Sequence, residues 1–124
     1  MNEIKKHILI VEDEKPLSKA LSLKLINSGF ETSTAFDGEE ALMKLSEGKF
    51  DLVLLDLMIP KKDGFTVLSE MRLRGDVTPV IVSTNLSQPI DESKTKELGA
   101  QGYIIKSDTS LVEIIKKISD FLKS

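Results

Sequence analysis

Five polar side chains stand at the carboxyl ends of short apolar runs. Glu12 and Asp13 follow run 8–11, Asp56 follows Leu52–Leu55, Thr84 closes the stretch that begins with run 80–82, and Lys106 follows run 103–105. If those runs are strands of one parallel sheet, their carboxyl ends share an edge, which is where such sheets bind ligands. Three carboxylates and one ammonium then meet in a single cleft. At about 4 Å two like charges repel by roughly 4 kcal/mol at an effective dielectric of 20. Either the pKa values rise or a cation joins the cluster. Oxygen donors without His or Cys suit a hard ion such as Mg²⁺. An acidic, metal-binding edge beside a fixed lysine and a hydroxyl is suited to phosphoryl transfer. The metal and Lys106 would neutralise equatorial oxygens, and Thr84 would donate to a third. The nucleophile would be a carboxylate, with Asp56 at the centre of the edge.

The elements needed to build that edge are legible. Runs 8–11, 52–55, 80–82 and 103–105 are too short for helices and rich in branched residues, as strands buried on both faces are. Residues 30–36, with Thr, Ser and Phe, suit a fifth, more exposed strand. Between them the period turns helical. Leu17, Leu21 and Leu25 form a stripe widened by Ala20 and Ile26. Ala41, Leu42 and Leu45, then Phe65, Leu68 and Met71, repeat it, and Leu111, Ile114, Ile115, Ile118 and Leu122 make the densest face. Met43 and Met71 sit at helical spacing and are expected as core filler.

Pro16 and Pro89 suit first helical turns, and Gly29 follows the end of helix one. Helix four, with Ile90 and Leu98 as its expected anchors, is the least apolar and should be loosely held. Strand–helix alternation repeated five times predicts a doubly wound α/β fold: a five-stranded parallel sheet in the flavodoxin-like order 2-1-3-4-5. Strand two then lies at an edge, in keeping with its weaker apolar character. The switch point falls between strands one and three, where Glu12, Asp13 and Asp56 would meet.

Composition narrows the function classes. A chain of 124 residues fits one domain. With 17 basic against 20 acidic residues the net charge is −3, so direct nucleic-acid binding is not suggested. There is no cysteine, which excludes disulfides and thiolate sites and is compatible with a cytoplasmic location. Apolar runs of four or five residues cannot span a membrane, and the short polar stretch 1–6 is not a secretory signal. The segment after strand one lacks glycine, so neither a P-loop nor a dinucleotide fingerprint is present.

Val11-Glu12-Asp13-Glu14, the stretch 51–56, Met58-Ile59-Pro60-Lys61-Lys62-Asp63-Gly64, Ser83-Thr84 and Gly99-Ala100-Gln101-Gly102-Tyr103-Ile104-Ile105-Lys106 together resemble the receiver domain of two-component response regulators. The likeness spans residues 7–122. It implies that Asp56 takes a phosphoryl group from the phosphohistidine of a histidine kinase or phosphotransfer protein. It further implies Asp13 as a direct Mg²⁺ ligand, Glu12 as a ligand through water, and Met58 as the donor of a backbone carbonyl. Lys106 would pair with phosphoryl oxygens, Thr84 would be the switch hydroxyl, and Tyr103 the aromatic that follows it. Such a domain is no turnover enzyme, although it catalyses its own phosphorylation and dephosphorylation. The expected partners are the kinase, an unidentified downstream protein met through helix 4, strand 5 and helix 5, and a second copy on phosphorylation. Residues 1–124 are expected to be a single receiver domain without an output domain. The competing reading is a degenerate receiver that binds partners without being phosphorylated.

Taken singly, these residues are less telling. Glu12, Asp13 and Glu14 could serve a helix N-terminus, Asp56 or Thr84 a turn, and Tyr103 a core rim. Joint placement on one edge changes that. His7, the only histidine, is expected to be solvated ahead of strand one, and Lys116, Lys117 and Lys123 to form the wet side of helix five. Two positions depart from the family pattern. Ser107 replaces the usual proline after Lys106, and because a non-proline cis bond costs about 3 kcal/mol, a trans bond or a reshaped loop is expected. Asn85 replaces a small residue beside the switch hydroxyl, and slower phosphoryl loss than in Asn85→Ala is expected.

Overall fold

The structure, a computed structural model, describes residues 4–123. Five strands alternate with five helices: β1 His7–Val11, α1 Lys15–Asn27, β2 Glu31–Ala35, α2 Gly38–Glu47, β3 Leu52–Leu55, α3 Gly64–Leu73, β4 Val80–Thr84, α4 Pro89–Glu97, β5 Gly102–Ile105 and α5 Leu111–Lys123. The strands are parallel and ordered β2-β1-β3-β4-β5, as the alternation predicts. β4 runs on through Ser83 and Thr84 beyond its apolar run. Residues 1–3, part of the polar stretch 1–6, lie outside the described residues.

Strand periodicity sorts the core into two layers. Leu9, Val11, Val53, Leu55, Val80 and Val82 face α2 and α3 through Ala41, Leu42, Val67, Leu68 and Met71. Ile8, Ile10, Leu52, Leu54, Ile81 and Ile104 face α1 and α5 through Leu21, Leu25, Ile114, Ile115 and Ile118. β2 has one fully buried residue, Ala35, in keeping with its edge position. Pro16 and Pro89 stand in the first turns of α1 and α4, while Asp37 and Asp63 cap α2 and α3 by accepting from the N–H groups of Glu40 and Thr66.

Four side chains depart from the periodic expectation. Ile26 and Met43 are about half exposed, because each lies on the outer side of its helix stripe. Ile90 is 74% exposed and anchors nothing; the buried residue of α4 is Thr95, whose hydroxyl bonds back to the Glu92 carbonyl, with Leu98 packing nearby. A hydroxyl satisfied by its own helix can be buried without a partner elsewhere, which hydropathy does not register. His7 begins β1 instead of preceding it. Its ring is partly buried 4.7 Å from Phe50, and Nε2 lies 2.7 Å from Ser33 Oγ. The lysines of α5 are exposed, as expected.

Candidate functional site

The register carries the polar residues to one edge. Val11 pairs with Leu55, so Glu12 and Asp56 come one step past a paired position. The ladder reaches them: Glu12 N–H donates to the Ala35 carbonyl and Asp56 N–H to the Val11 carbonyl, both at 3.0 Å. Thr84 pairs with Ile105, which places Lys106 one step beyond. Glu12 is 2% exposed and Asp56 4%, an unusual state for carboxylates without charge partners. The partner is Lys106, whose Nζ donates to Glu12 Oε1 at 2.8 Å and to Asp56 Oδ2 at 2.9 Å. The outer oxygens are also used: Glu12 Oε2 accepts from Glu14 N–H, and Asp56 Oδ1 from Met58 N–H, each at 3.1 Å.

Electrostatics follow from that crowding. Burial pushes the Glu12 carboxyl above its ordinary range; the Lys106 ammonium and the Glu14 N–H offset this only in part, and the Asp56 charge adds to it. Burial works against the Lys106 ammonium too, yet the hydrogen bonds and charges of Glu12 and Asp56 outweigh it and raise its pKa. One cation thus serves two buried anions, while the exposed Asp13 adds a third. Oxygens of Glu12, Asp13 and Asp56 all lie within 4.8 Å of one another. The donor set is hard and oxygen-only, and Lys106 leaves Asp13 unneutralised. This composition fits Mg²⁺, which takes one or two carboxylates and keeps several waters.

Thr84 and Tyr103, expected as the switch pair, lie on the neighbouring strands β4 and β5. Thr84 is fully buried, and its Oγ1 accepts weakly from Leu86 N–H at 3.4 Å. Tyr103 donates its hydroxyl to the Leu86 carbonyl at 2.6 Å. Both hydroxyls therefore engage the same residue, one at its amide and one at its carbonyl. Burial first, then the charges of Asp91, Glu92 and Asp56, push the Tyr103 phenol up to about 12. Met58 meets the site through its N–H bond to Asp56, and the residue is 59% exposed. Asn85 is exposed. The Lys106–Ser107 bond is trans, as expected, and Lys106–Asp108 forms a single 3-10 turn.

Two glycines that the sequence marks only as lying at or between element boundaries prove to be points of close backbone approach. A Cβ on Gly64 would stand 2.5 Å from the Asp56 carbonyl oxygen, and one on Gly38 would stand 2.0 Å from the Lys62 oxygen. Both follow a capping aspartate, in Asp37-Gly38 and Asp63-Gly64. That repeated pair was the available signal.

Comparison with known proteins agrees with this geometry. The family model of the response regulator receiver domain matches residues 8–119. The transcriptional regulatory protein DltR of Streptococcus agalactiae is 42% identical over 99 residues, covering 80% of this chain and 44% of the relative. CiaR of Streptococcus pneumoniae is 40% identical over 116 residues, covering 94% and 51%. The chain thus spans about half the length of these curated relatives. Among solved structures, the Francisella response regulator 1452 receiver domain superposes with a TM-score of 0.90 at 28% identity, covering 96% of this chain and 98% of that one. The phosphorylated cyanobacterial phytochrome response regulator RcpA gives 0.85 at 32%, covering 98% and 96%. A buried acidic edge bridged by one lysine, on a sheet ordered 2-1-3-4-5 and matched over residues 8–119, makes this chain a member of the receiver-domain family of two-component response regulators.

Proposed function

We propose that the chain is a phospho-acceptor switch in which an Asp56 carboxylate oxygen attacks the phosphorus of a phosphohistidine on a kinase or phosphotransfer protein. A P–O bond forms, the P–N bond breaks, and the imidazole leaves with the electron pair and takes a proton. The observation that carries this reading is the pair of hydrogen bonds that Lys106 Nζ donates to Glu12 and Asp56, at 2.8 and 2.9 Å inside a buried edge. It leaves a cation in place for oxygens added at Asp56. Asp13, Asp56 and the Met58 carbonyl would hold Mg²⁺ directly, and Glu12 through water. When bound, the ion supplies charge neutralisation at the phosphoryl oxygens.

Thr84 would then donate to a phosphoryl oxygen. Releasing its hydroxyl from Leu86 N–H costs little, since that contact is already 3.4 Å long. Leu86 also holds Tyr103, so the change reaches β5 and the surface of α4 and α5, where a downstream protein or a second copy would bind. The proposed unit of function is the receiver domain itself, residues 1–124, without direct contact to nucleic acid and at work in the cytoplasm. Among the described residues no helix is long and apolar enough to cross a membrane. Asn85, beside the switch hydroxyl, would slow phosphoryl loss relative to Asn85→Ala, and equal decay rates would dispose of that role.

Incubation with acetyl phosphate is expected to label the wild type only with Mg²⁺ present and to leave Asp56→Asn unlabelled. A wild type that resists acetyl phosphate and histidine-kinase donors alike would instead favour a partner-binding domain that works unmodified.

A further inference from the structure

The segment 57–63 that carries Met58 is held in a strained form by a residue of another element. Lys61 has φ 70°, the left-handed region, which is uncommon for a residue with a side chain. Lys62 N–H donates to the Pro60 carbonyl two residues back, at 2.9 Å, closing a γ-turn of the rarer hand. Such conformations persist only where the surroundings over-determine them. Here the surroundings are the start of α2. Gly38 N–H donates to the same Pro60 carbonyl at 3.2 Å, and its Cα face lies flush against the Lys62 backbone. Asp37 adds an ion pair to Lys61 at 3.7 Å.

The base of the segment has no slack either. Gly64 N–H bonds the Leu57 carbonyl at 2.9 Å, and Gly64 has no room for a Cβ against the Asp56 and Leu57 backbones. Leu57 and Ile59 are buried. A shift imposed at the tip therefore has to be taken up by the backbone of Met58 and its neighbours.

From this we infer that Gly38 is a positioning residue for the metal-binding edge: by admitting the Lys62 backbone to contact, it sets where the Met58 carbonyl stands. The inference rests on the metal reading proposed above. A methyl at Gly38 would meet Lys62 backbone oxygen at 2.0 Å, so one backbone has to yield by about 1 Å. Residues that orient metal ligands from behind typically cost at least about tenfold in affinity when changed.

The test titrates MgCl₂ by calorimetry into wild type, Gly38→Ala and Gly48→Ala. Gly48 ends the same helix, and a Cβ there meets nothing closer than 3.8 Å. Gly38→Ala is expected to bind Mg²⁺ about tenfold more weakly, with Gly48→Ala matching wild type. In wild type, Mg²⁺ is expected to slow amide exchange at Gly38 but not at Gly48, whose N–H bonds Lys44 within α2. That second readout stands even if Gly38→Ala does not fold. Unchanged Gly38 exchange, or a folded Gly38→Ala with wild-type affinity, would overturn the inference and leave the metal reading intact. A wild type that takes up no Mg²⁺ would overturn both.

Discussion

Two connections leave the same edge of the sheet and are built in opposite ways. The one from β3 to α3 is tied at its start by Asp56 N–H to Val11, at its tip by Gly38 to Pro60, and at its base by Gly64 to Leu57, with Leu57 and Ile59 buried beneath it. The one from β4 to α4 hangs on Leu86, through a 3.4 Å contact from its amide and the Tyr103 hydroxyl at its carbonyl. It leads into a helix with no side-chain cap and one buried residue, Thr95. The metal ligands proposed above would need fixed separations, which an over-constrained connection supplies. A surface that changes population on modification has to open at low cost, and local opening is cheapest where buried contacts are few.

The largest test of this contrast is the charge balance of the rigid edge. Lys106→Met leaves Glu12 and Asp56 buried without a cation and is expected to destabilise the metal-free protein by about 4 kcal/mol in urea denaturation. Mg²⁺ should then stabilise the variant more than wild type. Equal stability of the two proteins would mean that the buried edge carries no electrostatic strain.

Next come the helices themselves. Leu68→Ala in α3, at a fully buried position, is expected to cost about 3 kcal/mol. Ile90→Ala in α4 should fall within about 0.5 kcal/mol of wild type. Comparable losses at the two sites would erase the distinction between a fixed and a loose helix. Between them lies Tyr103→Phe, expected to cost about 1 kcal/mol near neutral pH through the lost bond to Leu86.

The Tyr103 effect should also depend on pH. The folded-state value of about 12 lies above the ordinary 10.0, so the neutral phenol contributes stability that is whole below pH 10 and lost as pH rises through about 12. The gap between wild type and Tyr103→Phe should therefore shrink across that window, where subtraction removes the overlapping Lys106 titration common to both. A constant gap from about pH 9 to about 12 would contradict both the burial of this phenol and the influence of the Asp91, Glu92 and Asp56 charges on it. A similarly small effect is expected at Lys94, whose ammonium lies 4.5 Å from the Phe65 ring centroid and links α4 to α3. Lys94→Met should cost about 0.5 kcal/mol in thermal or urea denaturation, and a loss above about 2 kcal/mol would show that α4 is clamped.

The order of elements, the parallel sheet and the residues on its carboxyl edge followed from local features of the chain. Apolar runs too short for helices had to be strands, and the alternation with helical stripes left one economical winding. A polar residue at the end of such a run had to stand at the carboxyl edge, whatever else the chain did. Positions decided by contact between distant segments were another matter. Ile90 looked like an anchor and is solvated, whereas Thr95 looked polar and is buried with its hydroxyl satisfied inside its own helix. His7 met Ser33 and Phe50 only because β1 and β2 pair and the turn before β3 folds back. Gly38 and Gly64 read along the chain only as lying at or between element boundaries, and their lack of a Cβ matters through backbones 24 and 8 residues away from them, at Lys62 and Asp56. Periodicity and strand ends are properties of neighbours along the chain and can be read from it; close approach of two backbones depends on how whole elements pack, and only the folded molecule states it.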